Sequence, residues 1–154
     1  MSSFCVSLLL CACFLLVPIR KSGDLIIITC LQWSQYYKTS CAKELGPYDA
    51  DWMYTRAASI CYQLYMLNGS GVLRLRHHYG GKQRRGTKTE HTRAAAGKVI
   101  RYCLNQLVKS GLVSERNFQS EDGKKIAYGK VLGQKGVTDM DRIAAQIGKE
   151  ARKH

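Results

Sequence analysis

Nine Lys or Arg residues lie between Gly71 and Arg101, against a single acid, Glu90. Arg74, Arg76, Lys82, Arg84, Arg85, Lys88 and Arg93 can neutralise phosphates, Lys98 and Arg101 continue the series, and Tyr79, His77 and His78 place flat rings among them. Arginine can grip two phosphate oxygens at once, so an Arg-heavy stretch favours fixed contacts over diffuse attraction. The chemistry on offer is polyanion binding. Folded RNA suits it better than a DNA groove, because the helix expected near residue 92 begins with alanines and offers few Asn, Gln or Arg side chains to read base edges.

Other chemistries lack their parts. His77, His78 and nearby His91 have no Asp or Glu between Asp51 and Glu90 to complete a local metal set. Gly80-Gly81-Lys82 is followed by Gln83, where a nucleotide-binding P-loop needs Ser or Thr after its lysine. Asp49, Asp51, Asp139 and Asp141 fit helix starts, where a carboxylate faces unpaired N–H groups. The seven cysteines, at 5, 11, 13, 30, 41, 61 and 103, contain no CxxC pair. Cys61 and Cys103 fall on apolar helix faces and read as small buried hydrophobes. We therefore expect no enzyme activity, no cofactor, no metal site and no small-molecule substrate.

The elements that must hold the basic stretch follow from pattern. The 154 residues suit one domain, 1–154. Of the net charge of +13, residues 1–48 carry only +2, so the attraction for polyanions sits in the last two thirds. Glycines at 71, 80, 81 and 86 suggest a mobile basic loop over the first half of the stretch. Before it, a helix from about Tyr48 to Leu67, capped by Asp49 or Asp51, buries Met53, Ala57, Ile60, Cys61 and Leu64. After it, a second helix from about Thr92 to Lys109 buries Val99, Cys103, Leu104 and Leu107, with Lys98, Arg101 and Gln106 outward. Thr87 and Glu90 form a possible capping box at its start. Leu112-Val113 and Ile126–Leu132 read as two strands joined by a turn at Glu121–Lys124, and Thr138 opens a last helix carrying Met140, Ile143, Ala144 and Ile147 on one side.

The apolar run Phe4–Val17 is too short to span a bilayer, and no basic residue precedes it, so it is expected to be a hydrophobic first helix in the core. Leu25–Thr29 favours a short strand or a buried extended link, and residues 33–44 allow a short helix before Gly46-Pro47. Helix, basic loop, helix, hairpin and helix is the order of a winged-helix domain. The fold class expected is mainly α, winged-helix-like, with a small β-hairpin wing.

Three motifs in order, PYDADWMYTRAAS from Pro47 to Ser59, YGGKQR from Tyr79 to Arg84, and MDRIA from Met140 to Ala144 with a Lys-His end, closely resemble the eukaryote- and archaea-type small-subunit ribosomal protein nineteen family. The resemblance covers about residues 43–154. It implies a mainly helical, winged-helix-like fold that binds ribosomal RNA in the head of the small (40S) subunit and is required for maturation of its rRNA, without catalysis. Trp52 and Tyr54 match the family's helix-start aromatics, Arg56 its basic contact in TRAAS, Gly80, Gly81 and Arg84 its glycine-basic loop, and Arg101 the exposed arginine of its second helix. Tyr62 stands where the family commonly has another Arg, and residues 1–30 are apolar where its first helix is partly charged. The partners implied are small-subunit rRNA and neighbouring small-subunit ribosomal proteins, with no membrane, and the location is the cytoplasmic ribosome after a nucleolar or nuclear assembly stage in a eukaryote. A winged-helix DNA-binding regulator is the alternative.

Overall fold

The computed structural model describes residues 32–119 and 125–152. The expectations for Phe4–Val17, Leu25–Thr29 and the Glu121–Lys124 turn lie outside those residues.

A single 3-10 turn, Gln32–Tyr36, stands where a short helix was allowed. The first α-helix, α1, runs Trp52–Met66 and buries all five residues of the expected stripe, together with Trp52 and Ala58. Its first turn closes on the backbone carbonyl of Asp51, which accepts from the N–H groups of Tyr54 and Thr55 at 3.1 and 3.3 Å, and no side-chain cap forms there. The turn after α1 needs left-handed backbone: Asn68 has φ 49° and Gly69 φ 118°.

The mobile loop expected next is instead two regular elements. Helix α2, Val72–His78, is anchored by buried Leu75, and strands β1 (Gly81–Arg85) and β2 (Lys88–Arg93) form an antiparallel hairpin. Arg85 pairs with Lys88, so the loop is Gly86-Thr87. Gly86 has φ 72° and Thr87 does not share that sign, the combination a tight type II′ hairpin requires. Thr87 and Glu90 therefore serve a turn and a strand, not a capping box.

The second long helix, α3, spans Gly97–Lys109 and starts five residues after the expected start near Thr92. Ala94–Ala96 are good helix formers held out of the helix by pairing. Ala95 bridges Ser40 and donates its N–H to Arg76 at 2.9 Å, and Ala96 donates to Thr39 at 2.8 Å. Two backbone hydrogen bonds to distant segments outweigh an alanine propensity worth a few tenths of a kcal/mol per residue.

Strands β3 (Val113–Gln119) and β4 (Lys125–Leu132) pair antiparallel as the wing, with Glu115 opposite Lys130 and in ion-pair contact with it. Ser70 extends the wing by exchanging both backbone hydrogen bonds with Lys130. The final helix, α4, is Gln134–Ala151, so it starts ahead of Thr138, whose hydroxyl bonds back to the Gln134 carbonyl at 2.6 Å. Asp139 and Asp141 consequently sit inside the helix, where Asp139 pairs with Arg142 and Asp141 accepts from the Tyr65 hydroxyl of α1.

The core lies where α1 and α2 pack on α3 and the wing closes the far side. Met53, Ile60, Leu64, Leu75, Ile100, Leu104 and Leu107 are almost wholly excluded from solvent, and Cys103 Sγ lies 3.5 Å from Met53 Sδ. Burial pushes the Cys61 thiol up to about 12, which keeps it a neutral packing group. The architecture is mainly helical and winged-helix-like with a β-hairpin wing, as expected; α2 and the β1/β2 hairpin are additions to the expected order.

Gly136 yields a prediction that sets two effects against each other. Alanine is favoured over glycine inside a helix by about 1 kcal/mol. A Cβ at Gly136, however, would sit 2.7 Å from the Leu112 carbonyl oxygen and 2.8 Å from Leu132 Cγ. That carbonyl is fixed by accepting the Gly133 N–H at 2.8 Å, so it cannot easily retreat. Overpacking of this kind costs roughly 1–3 kcal/mol. Gly136→Ala is expected to lower stability by about 1 kcal/mol in urea unfolding, and a gain of similar size would show that α4 docks more loosely.

Candidate nucleic-acid interface

The ten basic residues singled out by sequence divide by what they touch. On the β1/β2 hairpin, Lys82, Arg84, Arg85, Lys88 and Arg93 are all exposed, on two strands that alternate faces. Two of them brace the hairpin: Arg85 Nη1 donates to the Thr89 carbonyl at 3.3 Å, and Arg93 Nε donates to Gln83 Oε1 at 2.9 Å. Lys82 pairs with Thr92 in register, so it projects from the opposite face to the Gln83 and Arg93 side chains. The hairpin thus presents cations on both sides, with Glu90 its one acid.

At the hairpin root the backbone is crowded. A Cβ on Gly80 would lie 2.6 Å from the Arg93 carbonyl oxygen, so glycine there lets the end of α2 meet the end of β2. Arg74 is exposed on α2, whereas Arg76 turns inward and donates from Nε to the Ala95 carbonyl at 3.1 Å. Arg76 and Arg101 meet over Gly97 at the start of α3: a Cβ there would be 2.8 Å from Arg101 Nη1 and 3.3 Å from Arg76 Cδ.

Lys98 is exposed on α3 but not unengaged. Its ammonium lies 4.8 Å from the Trp33 ring centroid and 5.7 Å from that of Tyr37, and Trp33 packs edge-on against both Tyr37 and Tyr102. Sequence reasoning missed this aromatic support because it comes from a segment more than sixty residues away.

Arg56, on α1, is half-buried. Its guanidinium carbon lies 4.1 Å from the Tyr79 ring centroid, and the Tyr79 hydroxyl is 2.8 Å from Ser59 Oγ, one helical turn beyond Arg56. Burial lowers the Arg56 pKa from its ordinary value, with the neighbouring Tyr79 and Cys103 pulling weakly the other way. Burial likewise raises that of Tyr79, opposed by the Ser59 hydrogen bond and by Arg56. The pair remains a cation on a neutral ring at physiological pH. Arg56 therefore joins the α2 end of the hairpin through Tyr79, while Arg76 and Arg101 gather at the start of α3.

Among the described residues no group of three or more His, Cys, Asp or Glu could hold a metal ion. Nor is any helix of these residues long and apolar enough to cross a membrane.

These elements define the class of the fold: a winged-helix-like domain with a second hairpin whose cations are exposed. The chain belongs to the ribosomal protein S19e family, whose model matches residues 22–150. That match begins ahead of residue 43, where the sequence motifs first carried the resemblance. It is 40% identical over 132 residues to the small ribosomal subunit protein eS19 of Entamoeba histolytica, covering 86% of this chain and 77% of that one. It is 38% identical over 134 residues to the protein of the same name from Argopecten irradians (87% and 85% covered), and 37% identical over 129 residues to that of Oryza sativa subsp. japonica (84% and 80%).

Proposed function

We propose that this protein is a structural constituent of the small ribosomal subunit that binds ribosomal RNA in the subunit head and is required for maturation of that RNA. The observation that carries the reading is the β1/β2 hairpin, which stands out from the core with five exposed cations and one acid in a chain of this family. Arg74 and the Arg76–Arg101 pair extend the cationic surface onto α2 and α3, Lys98 adds a charge braced on aromatic rings, and Arg56 adds a fourth element from α1. Such a surface holds a folded RNA by its phosphates, without catalysis or cofactor. Neighbouring small-subunit proteins complete the setting, in the cytoplasmic ribosome and, in a eukaryotic cell, in the nucleolar precursor.

Sedimentation tests the reading. The protein should travel with 40S-type particles even in high salt, and its depletion should leave a longer small-subunit rRNA precursor; a purely free pool would overturn it. With an isolated rRNA fragment, a Lys82→Ala, Arg84→Ala double variant is expected to weaken binding by about tenfold and to flatten the salt dependence by about two counterions. An unchanged salt slope would remove the hairpin from the interface.

A further inference from the structure

A cleft of about 460 Å³ opens beside the hairpin root, and its walls are unlike the rest of the cationic surface. Trp52, a mostly buried ring, and the Arg56–Tyr79 stack are part of its lining. Leu45 and Pro47, from the segment leading into α1, line it too, together with Lys43 and with Asp49 as the one acid of the lining. The volume lies in the range of sites that enclose a small molecule. Tyr79 stands two residues before β1, so whatever occupies the cleft is continuous with anything bound along the hairpin.

Arg56 makes the cleft more than a gap. One face of its guanidinium is taken by Tyr79, while its N–H groups make no hydrogen bond or ion pair with a described residue. None of those donors is sealed from solvent, so they stand open to the acceptors of a ligand. The flat surfaces, the planar cation and the Lys43 ammonium together match a base with its attached phosphate. Single-stranded RNA is recognised in this way, by bases splayed out and stacked on aromatic rings or guanidinium planes.

We propose that the cleft receives one unpaired nucleotide of the bound RNA, its base against the Arg56–Tyr79 stack and its phosphate at Lys43. This rests on the RNA-binding reading above and adds a site that distinguishes an extruded nucleotide from continuous duplex. Tyr79 is a positioning residue here: its ring holds the Arg56 plane, and its hydroxyl is fixed by Ser59.

The test uses the full chain and two RNA hairpins of equal length, one fully paired and one carrying a single bulged 2-aminopurine. The bulged RNA should bind about tenfold tighter, the gain typical of one stacked base, with quenching of the 2-aminopurine fluorescence. Tyr79→Leu should bring the ratio of the two affinities close to one, and Tyr79→Phe, which keeps the ring, should preserve most of it. Leu45→Glu puts a carboxylate at the mouth from an exposed position that folding does not need, and should collapse the ratio too. Equal binding of both RNAs by the unmodified protein overturns the cleft proposal and leaves RNA binding standing. Binding of neither overturns both.

Discussion

An Arg56→Glu protein is expected to fold but to be lost from the small subunit, with a longer small-subunit rRNA precursor accumulating. The side chain lies on the surface of α1 and half within the cleft, so its replacement leaves the buried stripe of Met53, Ile60 and Leu64 untouched. The stability cost is the lost cation–π contact with Tyr79, about 1 kcal/mol for a partly desolvated pair. The cost to binding is larger. A favourable charge at the proposed phosphate surface becomes a repulsive one at a half-buried position, which should weaken association on the order of a hundredfold or more. Arg56→Lys should fall between the two, since it keeps the charge but loses the planar face that stacks on the ring. The measurement is the fraction of protein comigrating with small-subunit particles in high salt, alongside the precursor level. Normal incorporation of a folded Arg56→Glu protein would remove α1 from the RNA surface and leave the hairpin to carry it alone.

Leu104→Ala is expected to produce the largest loss of stability. Leu104 is 1% exposed on the face of α3 that meets the core, in a cluster with Ile60, Leu64, Cys103 and Leu107. Removing its isobutyl group forfeits the transfer free energy of those atoms and leaves a cavity that two packed helices cannot fully close. The penalty is about 2–5 kcal/mol. Domains of this size are stable by only about 5–15 kcal/mol, so the urea midpoint should fall by roughly an eighth or more. Leu73 supplies the control: it is 64% exposed on α2, and Leu73→Ala should change stability by less than about 0.5 kcal/mol. Similar costs at the two positions would mean that the α1–α3 contact is not the centre of the core.

The effects differ because core and interface obey different rules. The core is a volume to be filled, and its loss is felt as unfolding. The proposed interface is a set of charges held in place by the fold, and its loss would be felt only when the partner is present. Lys98 on its aromatic supports and Arg56 on Tyr79 show how the fold steadies a cation without neutralising it, whereas a carboxylate would.

How much of this was legible in the sequence depended on the range of the forces involved. Helices α1 and α3 were readable because helical period is local: five apolar positions on α1 and four on α3 were named from spacing, and all nine are buried. The wing was readable because Leu112-Val113 and Ile126–Leu132 favour strands and lie close in the chain, on either side of a turn sequence. The β1/β2 hairpin was missed although its signal was present, a Gly-Thr pair followed by a run holding Thr89 and Thr92; the density of charge suggested a loop, while backbone pairing needs no apolar side chains to form a two-stranded ribbon.

The motifs Pro47–Ser59, Tyr79–Arg84 and Met140–Ala144 determined the family, and the charge count determined that the exposed surface would be cationic. The start of α3 was decided only by tertiary structure, because Ala94–Ala96 pair with Thr39, Ser40 and Arg76, and such partners carry no periodicity. Tertiary structure also made Arg56 and Tyr79 one unit and brought Arg76 and Arg101 together over Gly97. Residue type fixes what a side chain can do, and spacing fixes which face of a local element it occupies. Contacts between residues twenty or more apart depend on how α1, α2 and α3 cross, and that follows from the packing of the whole core.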